Sequence, residues 1–257
     1  MGWRGQNSSL ARRSASQRLA LKDSEELASF TNVRGHRGAR RVAALTVVAL
    51  SLVLVFAVTR PARAEGVGAQ LPIVKQALRD NCETAALSML LVGGGVHVDQ
   101  LVLQRELPRS GPLDPVTAAD GSLRWGDPDR GFVGRSDGGG THGGYGVYTA
   151  PIKALAARYG VTLETLNRRD PSVLYRRIAS GRPVLAWVGL SNGPYLRWRS
   201  AAGKWIVGNF GEHTVVLTGI RGQSISVSDP LRGVRTVWSR SAFEMMWARL
   251  GRRALGI

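Results

Sequence analysis

The only cysteine of this 257-residue chain is the side chain with the clearest capacity for chemistry. Cys82 follows Asp80 and Asn81 and opens the segment CETAALSML, whose apolar residues recur at helical spacing. Asp and Asn are favoured N-caps, so the pattern predicts a helix with the thiol in its first turn. The N–H groups and positive dipole end there favour a thiolate, and we expect a pKa below the usual value of about 8.5. A lone cysteine in such a helix is also often a small buried apolar residue.

A histidine and an aspartate are spaced so that a hairpin would bring them together. The segments HTVVLTGI (213–220) and SISVSD (224–229) are typical of strands, and only residues 221–223 separate them. An antiparallel hairpin places His213, at the start of the first strand, beside Asp229, at the end of the second. The carboxylate would fix the imidazole tautomer and stabilise the imidazolium formed when histidine takes a thiol proton. A histidine at a strand start is otherwise often structural.

Gln76 lies six residues before Cys82 and is a candidate for stabilising a reaction intermediate. Acyl transfer from a thiolate builds an oxyanion, which needs a backbone N–H donor at the start of the cysteine helix and a second donor nearby. The Gln76 amide has the right chemistry for that second donor. An exposed polar residue in a loop explains it equally well.

Other residues are candidates for substrate contact. Glu83 follows the cysteine directly, and its carboxylate would oppose thiolate formation and disfavour acidic groups of a substrate. Tyr148 and Trp187 are aromatic residues that would line a cleft, although packing in the core or at a cleft rim explains them as well. A metal site is not predicted, because no ligand pair has helix or knuckle spacing, and no cofactor is expected.

Helical patterns precede strand patterns along the chain, which predicts an α+β domain with the cysteine on the leading helix and the histidine on a C-terminal antiparallel sheet. Helices are predicted from Cys82 to the glycines at 93–95, at about 98–107, in TAPIKALAARYG and DPSVLYRRIASG, and at about 241–250; strands are predicted at 183–190, 204–210, 213–220 and 224–229. The segment 108–147, rich in Gly, Pro and Asp, is predicted to be a long substrate-binding or covering loop.

The N-terminal quarter has a different organisation. Residues 1–41 are polar and basic and are expected to be a disordered cytoplasmic tail. Residues 42–59 carry no charge and are long enough for a transmembrane helix, with a linker at 60–71 and a domain at 72–257. Basic residues before the apolar segment predict that the N-terminus is inside and the domain extracytoplasmic. Cleavage after Ala64 would instead make the segment a signal peptide and the domain secreted.

The chain is strongly basic, with 35 Lys and Arg against 18 Asp and Glu and a net charge of +17. Such an excess could favour acidic partners, but a solvated basic surface explains it equally well. No regular Arg/aromatic interleaving or nucleic-acid motif is present, so nucleic acid is not an expected partner. A single cysteine excludes an intramolecular disulfide.

Several of these motifs together resemble the papain-like cysteine peptidases that remove double-glycine leaders from bacteriocins (cysteine-peptidase family thirty-nine), and above all their exported, stand-alone branch. They are Gln-x5-Cys opening a helix, GVYTAPIKALAARYG, GRPVLAWV, and Glu-His before a strand with Asp-Pro sixteen residues on. The resemblance covers about residues 70–255 and implies a papain-like fold and a peptide substrate. It further implies Cys82 as nucleophile, His213 as general base and acid, Asp229 as its orienter and Gln76 in the oxyanion hole.

The resemblance does not extend to substrate specificity. Leader peptidases belong to ABC transporters on the cytoplasmic side, whereas this chain has no G-x4-G-K-[ST] phosphate loop and its domain is predicted outside. The prediction is therefore an extracytoplasmic cysteine peptidase, with amidase or transpeptidase activity left open. The alternative is a non-catalytic module of the cell envelope that keeps the cleft to bind a peptide or polymer.

Overall fold

The computed structural model describes residues 69–138 and 143–257. The predicted tail (1–41), the apolar segment (42–59) and most of the linker (60–71) lie outside the described residues. Within the described ranges, no helix is both long and apolar enough to cross a membrane. The fold there is α+β, as predicted from the order of helices and strands.

Five helices occur in the described part of the chain, close to their predicted bounds. They are α1 (Cys82–Gly93), α2 (Gln100–Glu106), α3 (Thr149–Arg158), α4 (Pro171–Ala179) and α5 (Arg240–Arg249). The capping signals in the sequence act locally. Asp170 caps α4 by accepting a hydrogen bond from the Ser172 N–H at 2.8 Å. Gly160, just beyond α3, has a φ of 76°, which ends the helix without strain.

Helix α1 lies at the centre of the domain. Its residues from Cys82 through Leu91 are all buried, whereas the apolar spacing in the sequence predicted that only one face of the helix would be buried. The polar side chains on this helix are satisfied internally: Ser88 Oγ donates to the Val98 carbonyl at 2.6 Å, and Thr84 Oγ1 donates to Gln104 Oε1 at 2.9 Å. A helix buried on all sides holds its first residue rigidly.

A six-stranded antiparallel sheet forms the second element of the core. Its strands are β5 (Glu164–Thr165), β6 (Val184–Gly189), β9 (Glu212–Arg221), β10 (Ser224–Asp229), β11 (Val234–Ser239) and β12 (Ala254–Gly256). They lie in the order β11-β10-β9-β6-β12-β5. The predicted hairpin of β9 and β10 is confirmed, with Ser224 paired to Arg221 across the turn. Sequence patterns missed β5, β11 and β12.

Strand β6 shows why the sheet is buried on both faces. Leu185 and Trp187 point to the side occupied by α1 and α3, whereas Val184, Ala186 and Val188 pack against α4 and α5. Because side chains alternate between the faces of a strand, a continuous apolar run such as VLAWV serves two cores at once. The sheet therefore has helices on both sides and the cysteine helix on one of them.

The segment 108–147 is not an irregular loop, and that prediction was wrong in part. It contains β1 (Val116–Thr117), β2 (Leu123–Arg124), β3 (Val133–Gly134) and β4 (Gly144–Gly146); β1 and β2 join β7 (Tyr195–Arg199) and β8 (Trp205–Asn209) in a second sheet. Strands of two or three residues leave no periodic signal. Two fully buried tryptophans anchor the segment, since Trp125 Nε1 donates to Pro112 O at 3.1 Å and Trp198 Nε1 to Gly126 O at 2.7 Å.

Candidate active site

The loop before α1 is tied to the sheet and sets the position of the cysteine. The Gln76 N–H donates to the Pro230 carbonyl at 2.8 Å, which joins this loop to the turn after β10. Asn81 is the N-cap of α1, as predicted, but its Oδ1 accepts from the Leu78 N–H at 2.8 Å rather than from the helix. The first helical residue, Cys82, is thereby held beside the end of β10.

His213 and Asp229 lie in contact across the β9–β10 hairpin, as their spacing predicted. His213 Nε2 and Asp229 Oδ1 are 2.8 Å apart, and both residues are buried. Burial by itself would raise the pKa of Asp229, but the hydrogen bond and charge of His213 and the N–H of Leu231 outweigh it, and that pKa is lowered. With Nε2 engaged by the carboxylate, Nδ1 is the ring nitrogen left for a reacting group.

Cys82, His213 and Gln76 line one cavity of about 100 Å³. Tyr145 and Glu212 are also in its wall. Among the described residues no hydrogen bond joins the sulfur to the imidazole; the side-chain contacts of the thiol are with two carboxyl groups. The cavity thus brings the predicted nucleophile and base together, with the thiol turned toward acids.

Glu83, which is fully buried, and Glu212, which is half-buried, form a carboxyl pair around the sulfur. Cys82 Sγ lies 3.5 Å from Glu83 Oε2 and 3.9 Å from Glu212 Oε2. Glu83 Oε1 accepts from the Val147 N–H at 2.7 Å, and Glu212 Oε1 accepts from Thr214 Oγ1 at 3.2 Å. One oxygen of each carboxyl group and the sulfur lie within 4.8 Å of one another. Two carboxyl groups this close do not both ionise readily.

These acids make the thiol a weak acid at rest. Burial first, and then the charges of Glu212 and Glu83, raise the pKa of Cys82 well above its usual value, while a hydrogen bond from the Thr214 backbone acts in the opposite direction. Burial also raises the pKa of Glu83 to about 7 and that of Glu212 well above the ordinary value. The expectation of a lowered cysteine pKa was therefore wrong for this arrangement. The predicted opposing effect of Glu83 is confirmed.

Gln76 lies in the cavity wall, but its amide is occupied. Nε2 donates to the carbonyl oxygens of Leu78 at 2.9 Å and Arg79 at 2.7 Å, so the side chain braces the loop before α1. Its buried Oε1 has no hydrogen-bond partner within the described residues. An oxyanion needs a donor, and this amide would have to turn to provide one.

The three residues predicted to contact substrate have different surroundings. Trp187 is fully buried and donates from Nε1 to the Val147 carbonyl at 2.8 Å, so its prediction as a substrate contact was wrong. Glu83 is also fully buried and contacts the thiol instead. Tyr148 lines a second, larger cavity, and its hydroxyl lies 2.5 Å from that of Tyr145. Sequence reasoning missed Glu212, although it directly precedes His213.

The described residues contain one group able to approach a metal ion together. It consists of Cys82, Glu83 and Glu212. Because metal ligation requires the thiolate and free carboxylates, a cation would first have to displace the protons that burial favours here. The donor set therefore suits a protonated resting site better than a resident metal.

Known proteins are similar to this chain in sequence or in structure. YvpB of Bacillus subtilis (strain 168), an uncharacterized protein, is 29% identical over 184 residues, which cover 70% of each chain. The crystal structure of a protein from Bacillus anthracis that is named a C39-like peptidase has a TM-score of 0.62 at 28% identity over 73% of this chain and 94% of that chain. The peptidase domain of Streptococcus ComA, a bifunctional ABC transporter of a quorum-sensing pathway, has a TM-score of 0.43 at 16% identity over 73% of this chain and 96% of that chain, too distant to inform on function.

A family model matches nearly the whole described part of the chain. The match runs over residues 69–255 and so includes α1, the β9–β10 hairpin and both cavities. The resemblance noted from the Cys82, His213 and Asp229 motifs is confirmed at the level of the family. This chain belongs to the Peptidase_C39 like family.

Proposed function

We propose that the chain is a cysteine peptidase with a papain-like site, in which Cys82 is the nucleophile and His213 the general base. The observation that carries the proposal is the His213–Asp229 contact of 2.8 Å, because His213 lines the same cavity as the Cys82 thiol. A buried carboxylate behind an imidazole fixes the tautomer and stabilises the imidazolium. Such a pair beside a thiol suits acyl transfer better than structural packing.

The reaction would proceed through a thioester. His213 Nδ1 takes the proton of the Cys82 thiol while the sulfur attacks the carbonyl carbon of an amide bond. The tetrahedral intermediate collapses, the C–N bond breaks, and His213 returns the proton to the leaving amine. Water, deprotonated by the same imidazole, then attacks the thioester and releases the acid and the thiol. Asp229 stabilises the imidazolium in both halves.

The oxyanion would be stabilised at the start of α1. The backbone N–H of Cys82 lies in the first turn, where helical N–H groups have no partner within the helix. The Gln76 amide is the proposed second donor, once it turns away from the Leu78 and Arg79 carbonyls toward the cavity. This rotation of the Gln76 amide would also give the site two conformations, one at rest and one during catalysis.

A protonated resting thiol distinguishes this site from a preformed thiolate–imidazolium pair. The carboxyl groups of Glu83 and Glu212 disfavour the thiolate, so deprotonation would accompany substrate attack rather than precede it. Rotation of the Cys82 side chain toward His213 is required first. Reactivity toward small alkylating agents would then understate reactivity toward a bound substrate.

The test is turnover of a random library of internally quenched peptides by the full-length chain. Cys82→Ala should reduce cleavage by about 10³-fold or more while near-UV circular dichroism stays unchanged. His213→Ala should cause a comparable loss. Retained cleavage in Cys82→Ala would end the proposal.

A second candidate is a non-catalytic binding module of the cell envelope on the same fold. The raised pKa of Cys82 favours it, since a binder gains nothing from an activated thiol. A substrate-like peptide with a C-terminal electrophile separates the two functions. Covalent capture that depends on both Cys82 and His213 supports the peptidase, and saturable binding without capture supports the module.

We also propose that residues 42–59 anchor the chain in a membrane with the domain (72–257) extracytoplasmic. The support is the uncharged apolar segment preceded by a basic tail. Protease added to intact cells should degrade the domain, and alkaline extraction should leave the chain in the membrane. Release of a shorter domain beginning at Glu65 would instead indicate cleavage after Ala64.

A further inference from the structure

A second cavity of about 460 Å³ lies next to the Cys82 site, and no role has been assigned to it so far. Tyr145 is part of the wall of both cavities, so the two are neighbours. The larger cavity is lined by residues from β7, β8 and the C-terminal end of α5, together with residues 127–129. Its size is sufficient for several residues of a peptide or for a small organic anion.

Three arginines give this cavity its charge. Arg168, Arg249 and Arg253 line it, and none of them forms an ion pair with a carboxylate in the described part of the chain. Arg249 Nη1 donates to the Gly189 carbonyl at 3.0 Å, and Arg253 Nη1 donates to the Leu250 carbonyl at 2.5 Å. Each guanidinium therefore keeps further N–H donors and an uncompensated charge.

The other charged residues of the cavity are one lysine and two aspartates, which leave one negative charge against the three positive charges of the arginines. Lys204 Nζ lies 2.8 Å from Asp129 Oδ2 and 3.3 Å from Asp127 Oδ2. Among the residues that line the cavity, Lys204 is the only lysine, and its ammonium group is already paired with these two carboxylates. The positive charge available to a ligand belongs to the three arginines.

Aromatic surfaces complete the cavity. Arg253 lies over the Tyr148 ring at 3.7 Å from its centroid, which fixes the guanidinium in place. Tyr195 is 51% exposed and offers apolar area to a ligand. Trp205 is 40% exposed, and the guanidinium groups of Arg197 and Arg199 lie over its ring. The combination of guanidinium groups and aromatic surface suits a carboxylate with an organic body rather than a bare ion.

The two cavities differ in charge, which would orient a ligand that spans them. The carboxyl groups of Glu83 and Glu212 offer an anion no cationic partner beside the thiol, whereas the arginines attract it on the far side of Tyr145. We propose that the larger cavity binds a carboxylate of the peptide substrate, either its C-terminus or an acidic side chain. That the ligand is a peptide rests on the proposed peptidase function, but anion binding at the arginines does not.

The test measures binding to the full-length Cys82→Ala chain, so that it does not depend on catalysis. The probes are acetyl-pentaalanine with a free carboxylate, the same peptide as its C-terminal amide, an amidated peptide with a central glutamate, and inorganic phosphate. Titration calorimetry at low salt should show that the carboxylate-bearing peptides bind about tenfold tighter than the neutral amide.

Matched variants locate the binding site. Arg168→Gln with Arg249→Gln should remove the preference for carboxylate, and Arg105→Gln, an exposed arginine that lines neither cavity, should retain it. Arg168→Gln alone should weaken the preference about threefold, and it removes no side-chain hydrogen bond or ion pair in the described residues. A loss seen with this variant is therefore not a loss of folding.

Three results would overturn the inference: equal binding of the acid and amide peptides, no binding of either, or arginine-dependent binding of phosphate without binding of the peptides. The last would indicate a phosphate-bearing ligand instead. Cleavage by the wild-type chain is measured separately. If no peptide is cleaved, the peptidase proposal fails, and the comparison in the Cys82→Ala chain still decides whether the arginines bind a carboxylate.

Discussion

The carboxyl groups of Glu83 and Glu212 meet at one sulfur atom, although 129 positions separate them in the chain. Glu83 follows the nucleophile on α1, and Glu212 precedes the base on β9, and their Oε2 atoms lie 3.5 and 3.9 Å from Cys82 Sγ. Packing of α1 against the sheet makes this pair. Its consequence is a thiol that stays protonated until a substrate or a conformational change favours its ionisation.

Removing one acid should make the thiol more reactive. Glu212→Gln removes one of the two carboxylate charges that raise the pKa of Cys82, so the pKa of the thiol should fall. The rate of iodoacetamide alkylation against pH, followed by intact mass, measures it. Glu164→Gln, outside the cavity, should leave the profile unchanged. An unaltered profile in Glu212→Gln would show that the carboxyl group does not act on the sulfur.

The carboxyl pair should also make stability depend on pH. Burial raises the pKa of Glu83 from 4.5 to about 7, so the native chain binds more protons than the unfolded chain between these values. Stability is then fully present below 4.5 and is lost as the pH rises through 7, by on the order of 1–3 kcal/mol. Glu83→Gln should flatten this decline in urea unfolding measured across the range. An equally steep decline in the variant would assign it to other groups.

Asp229 should influence both turnover and acid stability. Asp229→Asn keeps the shape but loses the charge behind His213, so kcat should fall by about 10²- to 10⁴-fold with little change in KM. Because the pKa of Asp229 is lowered, its contribution to stability is present above its unfolded pKa and is lost as the pH falls through the lower folded value. Acid titration of the variant should lack this loss. Full activity in Asp229→Asn would exclude an orienting role.

The kinetics of Gln76→Ala distinguish a catalytic role of Gln76 from a structural one. If its amide turns to stabilise an oxyanion, Gln76→Ala should lower kcat by about 10²- to 10³-fold and leave KM nearly unchanged. If it only braces the loop through Leu78 and Arg79, the variant should lose stability and change KM together with kcat. Thermal unfolding of the variant, measured beside the kinetics, distinguishes these outcomes.

The absence of a side chain at Gly146 leaves room for the carboxyl group of Glu83. A Cβ atom there would lie 2.2 Å from Glu83 Oε1, and the residue has a φ of 106°, which other residues rarely adopt. Gly146→Ala should therefore lower the free energy of unfolding by about 2 kcal/mol or more. Gly160→Ala is the matched control, because it has a φ of 76° and no atom within 4 Å of the added Cβ. It should cost about 1 kcal/mol. Equal losses in both would mean that only backbone strain matters.

The sequence alone was sufficient to predict the elements that are determined by residues close together in the chain. The cap and apolar spacing around Cys82 predicted α1, and strand patterns separated by three residues predicted the β9–β10 hairpin and hence the contact of His213 with Asp229. Each of these inferences needs only residues that are close in the chain or that pair with each other across one hairpin. The acidic neighbours were visible too, but only Glu83 was given an effect on the thiol.

Tertiary packing decided the rest. The pKa of Cys82 is set by burial and by Glu212, which comes from a distant strand, so the helix start by itself predicted the wrong direction. The short strands of 108–147 depend on pairing partners, since β2 pairs with the distant strand β7, β1 pairs with β2, and β3 pairs with β4. Trp187 is a core residue because β6 has helices on both faces. Local periodicity predicts elements, whereas desolvation and the meeting of charges depend on which elements pack together.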